Sequence, residues 1–327
     1  MKKKFLATIS IAVASISLLT GCGTNNLTTA IKPYWLINSN FPDTEFKETL
    51  IYDVSFKAGL GQTSINYSLD YDGTYTTTLE TVEKNQASGG IVYKYTTNLD
   101  IDVTYRYAGK TETFKDSVIS QMVMEFKNSV LRPISMHKEI VSNSPINGAN
   151  NPSVPYDIYE CAIDTVYNAD GKSGNSTLKN QLKENSTPKK STFKAEDRYT
   201  YLDNEQLLLA VRGISQTIQS ATFFVYSPFT TTIQTVDFKL EEKVSDKDFK
   251  FTNNSVETTK IIPYIPIKFS ISSGNTGETQ TVWVASMEST DNNINRNLIL
   301  HMEVPIAYKL GTLNYNLKEI TYNEYNN

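Results

Sequence analysis

Apolar and polar residues alternate with a period of two along most of this chain. Leu50, Tyr52, Val54 and Phe56 alternate with Ile51, Asp53, Ser55 and Lys57, and Ile65, Tyr67, Leu69 and Tyr71 continue the pattern. Asp72-Gly73 then reads as a tight hairpin before "TYTTTLETV", because Asp-Gly suits turns that need positive φ. Ile101, Val103, Tyr105 and Tyr107 face away from Asp100, Asp102, Thr104 and Arg106, and Ala108-Gly109-Lys110 turns the chain. Val236, Phe238 and Leu240 repeat the period near the end, as do Leu298, Leu300, Met302 and Val304, and then Leu313, Tyr315 and Leu317. One dry and one wet face per strand marks antiparallel sheet. About a dozen strands are expected.

One helix stands out. Asp203 is placed to cap it, Gln206 three residues on completes a capping box, and Leu207, Val211 and Ile214 form one stripe. Gly213 marks its end. The stretch "FKDSVISQMVMEFKNSV" fits either a helix or a strand. "KIIPYIPIKFSI" carries Pro263 and Pro266 in an apolar run, which predicts an edge or crossing strand rather than a central one. "NSPINGANNPSVP" and "NADGKSGNSTLKNQLKENSTPKK" read as long surface loops, so about 135–200 is expected to be a loop-rich insertion.

The N-terminus follows another pattern. Lys2, Lys3 and Lys4 precede a fifteen-residue apolar run from Phe5 to Leu19, shorter than the ~20 residues a membrane-spanning helix needs. It fits the apolar segment of a secretory signal. Leu19-Thr20-Gly21-Cys22 resembles the lipobox of bacterial lipoproteins, which implies cleavage between Gly21 and Cys22 and acylation of the Cys22 thiol. Two acyl chains anchor stably at ~0.8 kcal/mol per buried CH₂. The expected partner is therefore a membrane, reached through lipid on Cys22, with the chain on the extracytoplasmic face of a cell membrane or outer membrane. The division expected is a signal peptide at 1–21, an anchor and stalk at 22–44, one antiparallel domain at 45–321 and a tail at 322–327. Within the stalk, "PYWL" has the composition to pack back on the fold.

Composition sharpens this reading. Loss of residues 1–21 removes three lysines and no acid, so net charge moves from −4 to −7 over 306 residues. That balance argues against nucleic acid and against a polybasic membrane-binding face. With Cys22 acylated, Cys161 has no intrachain partner. On the strand "YDIYECAIDTVY" it reads as a small buried apolar residue.

Several segments look familiar. Glu48-Thr49-Leu50-Ile51-Tyr52-Asp53-Val54 resembles the opening strand of the bacterial domain-of-unknown-function 3108 family. The Asp203 helix ending Val211-Arg212-Gly213, "TQTVWVASM" around Trp283 and the closing "LGTLNYNLKEI" are similar to later parts of that family. The resemblance covers about 45–125 and 200–321. It implies a large curved antiparallel sheet, a half-barrel similar to periplasmic lipoprotein carriers, with one short helix on its concave face. The family has no established activity, so the resemblance implies shape rather than chemistry.

Catalysis finds little support. His137 and His301 are far apart, and His301 falls on the polar side of its strand. No Cys/His cluster has metal-ligand spacing, and no cofactor is expected. "GLGQTS" and "GNTGETQ" lack the residues of dinucleotide or phosphate loops. The leading expectation is a non-catalytic binding or carrier module for a hydrophobic ligand or envelope component. Its concave face would be lined by Tyr52, Val54, Phe56, Leu207, Val211, Val282, Val284, Leu298 and Leu300. The alternative is an envelope structural or adhesive protein that contacts cell-wall polysaccharide or a partner through its Thr- and Tyr-rich wet faces.

Overall fold

A computed structural model describes residues 45–64, 66–85, 90–127, 130–146, 154–182, 186–196, 200–214, 216, 219–271, 279–286 and 297–325. Gly21, Cys22, the signal peptide and the stalk lie outside the described residues.

Among the described residues, seventeen strands and one α-helix form the fold. The long ones come first: β1 (Glu45–Ala58), β2 (Tyr67–Asn85), β3 (Gly90–Tyr107), β4 (Lys110–Lys127) and β5 (Val130–Pro145). Shorter ones follow: β6 (Tyr156–Tyr167), β7 (Ser173–Asn180), β8 (Lys189–Lys194) and β9 (Tyr201–Leu202). After the helix α1 (Leu207–Gly213) come β10 (Ser220–Ser227), β11 (Thr232–Leu240), β12 (Asp248–Asn253) and β13 (Val256–Ile261). The chain closes with β14 (Tyr264–Ile271), β15 (Gln280–Ala285), β16 (Ile299–Ile306) and β17 (Gly311–Tyr325).

Strand pairing gives one curved sheet in the order β9-β10-β11-β14-β15-β16-β17-β1-β2-β3-β4-β5-β6-β7-β8. All of these pairs are antiparallel except β9–β10. The β12–β13 hairpin attaches by a short parallel pairing of Thr252 and Asn253 with Glu319 and Ile320 of β17. The sheet curls until its two ends face each other. Among the described residues no backbone ladder joins β8 to β9 or β10. Side chains bridge the gap instead. Phe193 of β8 stacks on Tyr226 of β10 at 4.4 Å between ring centres, and on Tyr201 of β9 at 5.7 Å. Tyr226 donates to Ser191 Oγ at 2.5 Å, and Lys189 Nζ donates to the Phe229 carbonyl at 2.9 Å.

The mainly-β, strongly curved sheet with a single short helix inside its curve is what the alternation and the resemblance predicted. The inward residues form one large core that includes Leu50, Tyr52, Val54, Leu99, Ile101, Met302 and Tyr315. Seven residues are too few for a helix to hold in water, where ~12–15 are marginal. The α1 segment persists because every one of its residues is buried. Asp203 caps the short 3₁₀ turn that leads into it, and Gln206 closes the capping box by accepting from the Asp203 N–H at 2.9 Å.

The structure differs from several expectations. Asp72-Gly73 is no hairpin but the middle of β2, where Gly73 pairs with Val54 on one side and Ile101 on the other. A Cβ there would lie 2.2 Å from the Asp100 carbonyl oxygen, so this glycine answers a close backbone approach rather than a turn. "FKDSVISQMVMEFKNSV" resolves as strand: most of it lies in β4. Residues 135–200, expected to be a loop-rich insertion, hold most of β5 and all of β6, β7 and β8. Their polar composition misled because these strands keep one wet face. Strand β17 runs to Tyr325, through most of the expected tail. Finally, β14 is central, lying between β11 and β15. Pro266 is tolerated because its edge faces Glu241, just past the end of β11, and its carbonyl accepts from the Glu241 N–H at 2.9 Å.

Candidate functional site

Inside the curled sheet, two polar clusters hold the two ends of the helix. Alternation along β4 places Asp116, Val118, Ser120, Met122 and Met124 inward, and along β5 it places Met136, Lys138 and Ile140 inward. Ser120 and Lys138 therefore reach the start of the helix. Glu205 Oε1 accepts from Lys138 Nζ at 2.8 Å, and Oε2 accepts from Ser120 Oγ at 2.7 Å. Thr97 of β3 lies 2.7 Å from Ser120 Oγ and extends the chain of hydroxyls. Asp203 accepts from the Glu205 N–H at 2.8 Å and from the Tyr167 hydroxyl of β6. Tyr167 also lies 3.4 Å from the Tyr201 hydroxyl, so the cap and the aromatic seam between β8 and β10 share one residue.

Two carboxylates here share a single ammonium. Burial pushes the Asp203 carboxyl up to about 6, and the neighbouring Glu205 charge adds to the rise. The Tyr167 hydroxyl, the Glu205 N–H and Lys138 pull the other way without cancelling it. A cavity of about 30 Å³ adjoins the cluster, lined in part by Lys138, Asp203, Glu205, Thr165 and Gln234. It is the size of a water molecule's share of liquid volume.

The far end of the helix is simpler. Arg212 Nη1 donates to Glu48 Oε1 at 2.6 Å and Nη2 donates to Oε2 at 3.1 Å, a bidentate pair with both partners buried. Burial pulls the guanidinium down, but the Glu48 charge and hydrogen bonds outweigh it and Arg212 ends above its ordinary value. Asn297 Nδ2 donates to the Arg212 carbonyl at 2.7 Å, taking up a helix-end acceptor. Beyond Glu48 a cleft of about 320 Å³ opens between the ends of β1 and β17, the β12–β13 turn and Leu298.

A fourth buried acid, Asp116, lies further along the β4–β5 pair. It accepts from the Asn143 N–H at 2.9 Å, from Asn143 Nδ2 at 2.7 Å and from Ser142 Oγ at 3.1 Å. Burial pushes it up to about 6 despite those bonds.

The sequence-predicted contacts all fall into one cluster. Tyr52, Val54, Leu207, Val211, Val282, Val284, Leu298 and Leu300 are each no more than 2% exposed, and Phe56 packs against them half-buried. They touch one another and the helix. Ser120, Lys138 and Glu205 were not foreseen. A signal existed: Asp116 and Ser120 interrupt the apolar face of Val118, Met122 and Met124, and Lys138 sits between Met136 and Ile140.

His301 corrects another expectation. It is buried, not on a wet surface: its ring packs 4.2 Å from Trp283, and Nδ1 lies 2.9 Å from Asn316 Oδ1. Trp283 and the neighbouring Tyr264 and Lys247 cover it on the outer face. His137 is exposed, and its hydrogen bond to Asp164 at 2.7 Å holds its pKa above the ordinary value. Cys161 is buried, and that burial pushes its thiol up to about 11. "GLGQTS" forms a 3₁₀ turn over Leu60–Ser64. Among the described residues no three His, Cys, Asp or Glu side chains group to hold a metal ion, and no helix is long and apolar enough to cross a membrane.

No family model and no curated protein matches the sequence. Among solved structures, the chain is similar to a β-barrel-like protein of domain of unknown function DUF1849 from Brucella abortus. The TM-score is 0.46 at 8% identity, over 86% of this chain and 98% of that one.

Proposed function

We propose that this chain is a lipid-tethered, extracytoplasmic binding module that engages its partner from outside the curled sheet, and that it is not a catalyst. The basic start, the short apolar run and Leu19-Thr20-Gly21-Cys22 support the tether. The observation that carries the outside reading is how closely the interior is packed around the helix among the described residues. The helix occupies the concave side with every residue buried, and the cavity beside it is about 30 Å³. Pockets for small organic ligands run to roughly 300–1,000 Å³. The expected acyl-chain contacts are already spent on one another and on the helix. The partner chemistry this favours is cell-wall polysaccharide or an envelope protein, met by the Thr-rich wet faces of β2, β3 and β4.

The test is a paired binding assay on the lipid-free domain. Mass spectrometry of the purified domain is expected to find no co-purifying lipid, and a fluorescent fatty acid is expected not to bind. Sedimentation with isolated cell envelope is expected to retain the domain. Stoichiometric lipid, or saturable fatty-acid binding, would overturn the outside reading and restore a hydrophobic-ligand carrier.

A further inference from the structure

The cleft beyond Glu48 lies where the chain enters the sheet. Glu48 pairs with Tyr322, and Phe46 with Glu324, so the first residues of β1 form one rim together with the last turns of β17. The floor is apolar, made by Leu298 and Ile320, with the half-buried Tyr322 beside them. The rest of the lining is Asn253, Asn254 and the two carboxylates Glu48 and Glu324, with no basic side chain. The volume is about 320 Å³, enough for two or three side chains.

We propose that residues 31–37 of this chain, "IKPYWLI", dock in this cleft. Three observations favour this occupant over a foreign one. Only residues 38–44 separate it from Glu45, a reach of at most about 25 Å for seven residues, and Glu48 in the cleft lining lies three residues further along β1. So short a connection gives millimolar effective concentration, which a separate partner would have to match. The segment is the one apolar block between Cys22 and Glu45, and it places Tyr34, Trp35, Leu36 and Ile37 beside a single charge, Lys32, that complements the exposed Glu324 carboxylate at the cleft. Its Pro33 also favours an extended approach.

Docking does not depend on lipidation, but its consequence rests on the tether reading. With residues 31–37 held, eight residues, 23–30, separate Cys22 from the docked segment, at most about 30 Å. Undocked, the whole stalk spans up to about 80 Å. The cleft would then set how far the sheet stands from the membrane.

Hydrogen–deuterium exchange on the full chain tests the docking separately from the tether. Amides of residues 34–37 are expected to exchange at least tenfold more slowly than in a free peptide of residues 23–44. Trp35→Ser, which leaves the sheet untouched, is expected to return them to the peptide's rate. Asn253→Phe, which fills the cleft from the other side, is expected to do the same with the thermal midpoint unchanged. Exchange at the peptide's rate in the wild-type chain would overturn the proposal. Protection that disappears on dilution would also overturn it, because the occupant would then belong to a second copy.

Discussion

The two ends of the helix are equally buried, yet their charges are balanced differently. At the far end one guanidinium meets one carboxylate with two parallel hydrogen bonds, and the charges match. At the near end Asp203 and Glu205 face a single Lys138, with Tyr167 and Ser120 supplying neutral donors. One negative charge is left over in a dry place. Burial raises the Asp203 carboxyl to about 6, and that unmatched charge on Glu205 adds to the rise. The contrast teaches that burial alone does not set a pKa; the local count of opposite charges decides whether the ion is held or released.

The comparison can be broken most severely between the two ends. Val54 lies in the wall of β1, 1% exposed and without polar neighbours in its cluster. Val54→Asp adds a buried carboxylate with no counterion at all, and the expected loss is 4 kcal/mol or about that. Urea unfolding measures it, and a shift below 1 kcal/mol would mean the first strand faces the other way.

Glu48→Gln should come next. It leaves the Arg212 guanidinium buried without its partner, and breaking such a pair costs about 3–5 kcal/mol. Replacing both, as Glu48→Leu with Arg212→Met, should recover most of it, because desolvation of the two ions is then removed together. If the double variant is no better than the single, the pair is stabilising in its own right rather than only positioning the helix.

The smallest effect is the most diagnostic. Asp203 has a folded pKa of about 6 against an ordinary 3.8, so between those values the folded state binds more protons than the unfolded one. Its contribution to stability is therefore greatest at the acid end of that window and falls as pH rises through it, by at most about 3 kcal/mol. Asp203→Asn keeps an acceptor for the Glu205 N–H, so its thermal midpoint at pH 7 should equal or exceed the wild type. Its midpoint should also gain less than the wild type's between pH 7 and pH 4.5. Asp116 contributes a slope of the same sign in both proteins. Parallel midpoint curves for the two proteins would show that Asp203 does not titrate in this range.

The same division explains what could be read from the chain. The strands of β1, β3 and β17 were legible because they have one wet and one dry face, and the period of two follows directly. The helix was legible from its ends, Asp203 with Gln206 and then Gly213, rather than from its stripe, since it is buried all round. The region from β5 to β8 was not. Gly, Asn and Lys suit loops in general, and only pairing with the strands before and after turns them into strands. The charged anchors hid for a related reason. Lys138 and Glu205 are 67 residues apart and Glu48 and Arg212 are 164 apart, and no local pattern links such positions. Ser120 and Asp116 did leave a trace, as polar breaks in an otherwise apolar alternation.

One consequence of the incomplete closure concerns crowding. Strand β8 is one of the two ends of the sheet order, and on it Lys189, Lys190 and Lys194 are all exposed. Were two molecules to meet along this border, strands about 4.8 Å apart would set ammonium against ammonium well inside the ~8 Å over which physiological salt screens charge. Self-assembly into long stacks is thereby discouraged along the β8 border. A population concentrated on a surface would stay a field of separate particles.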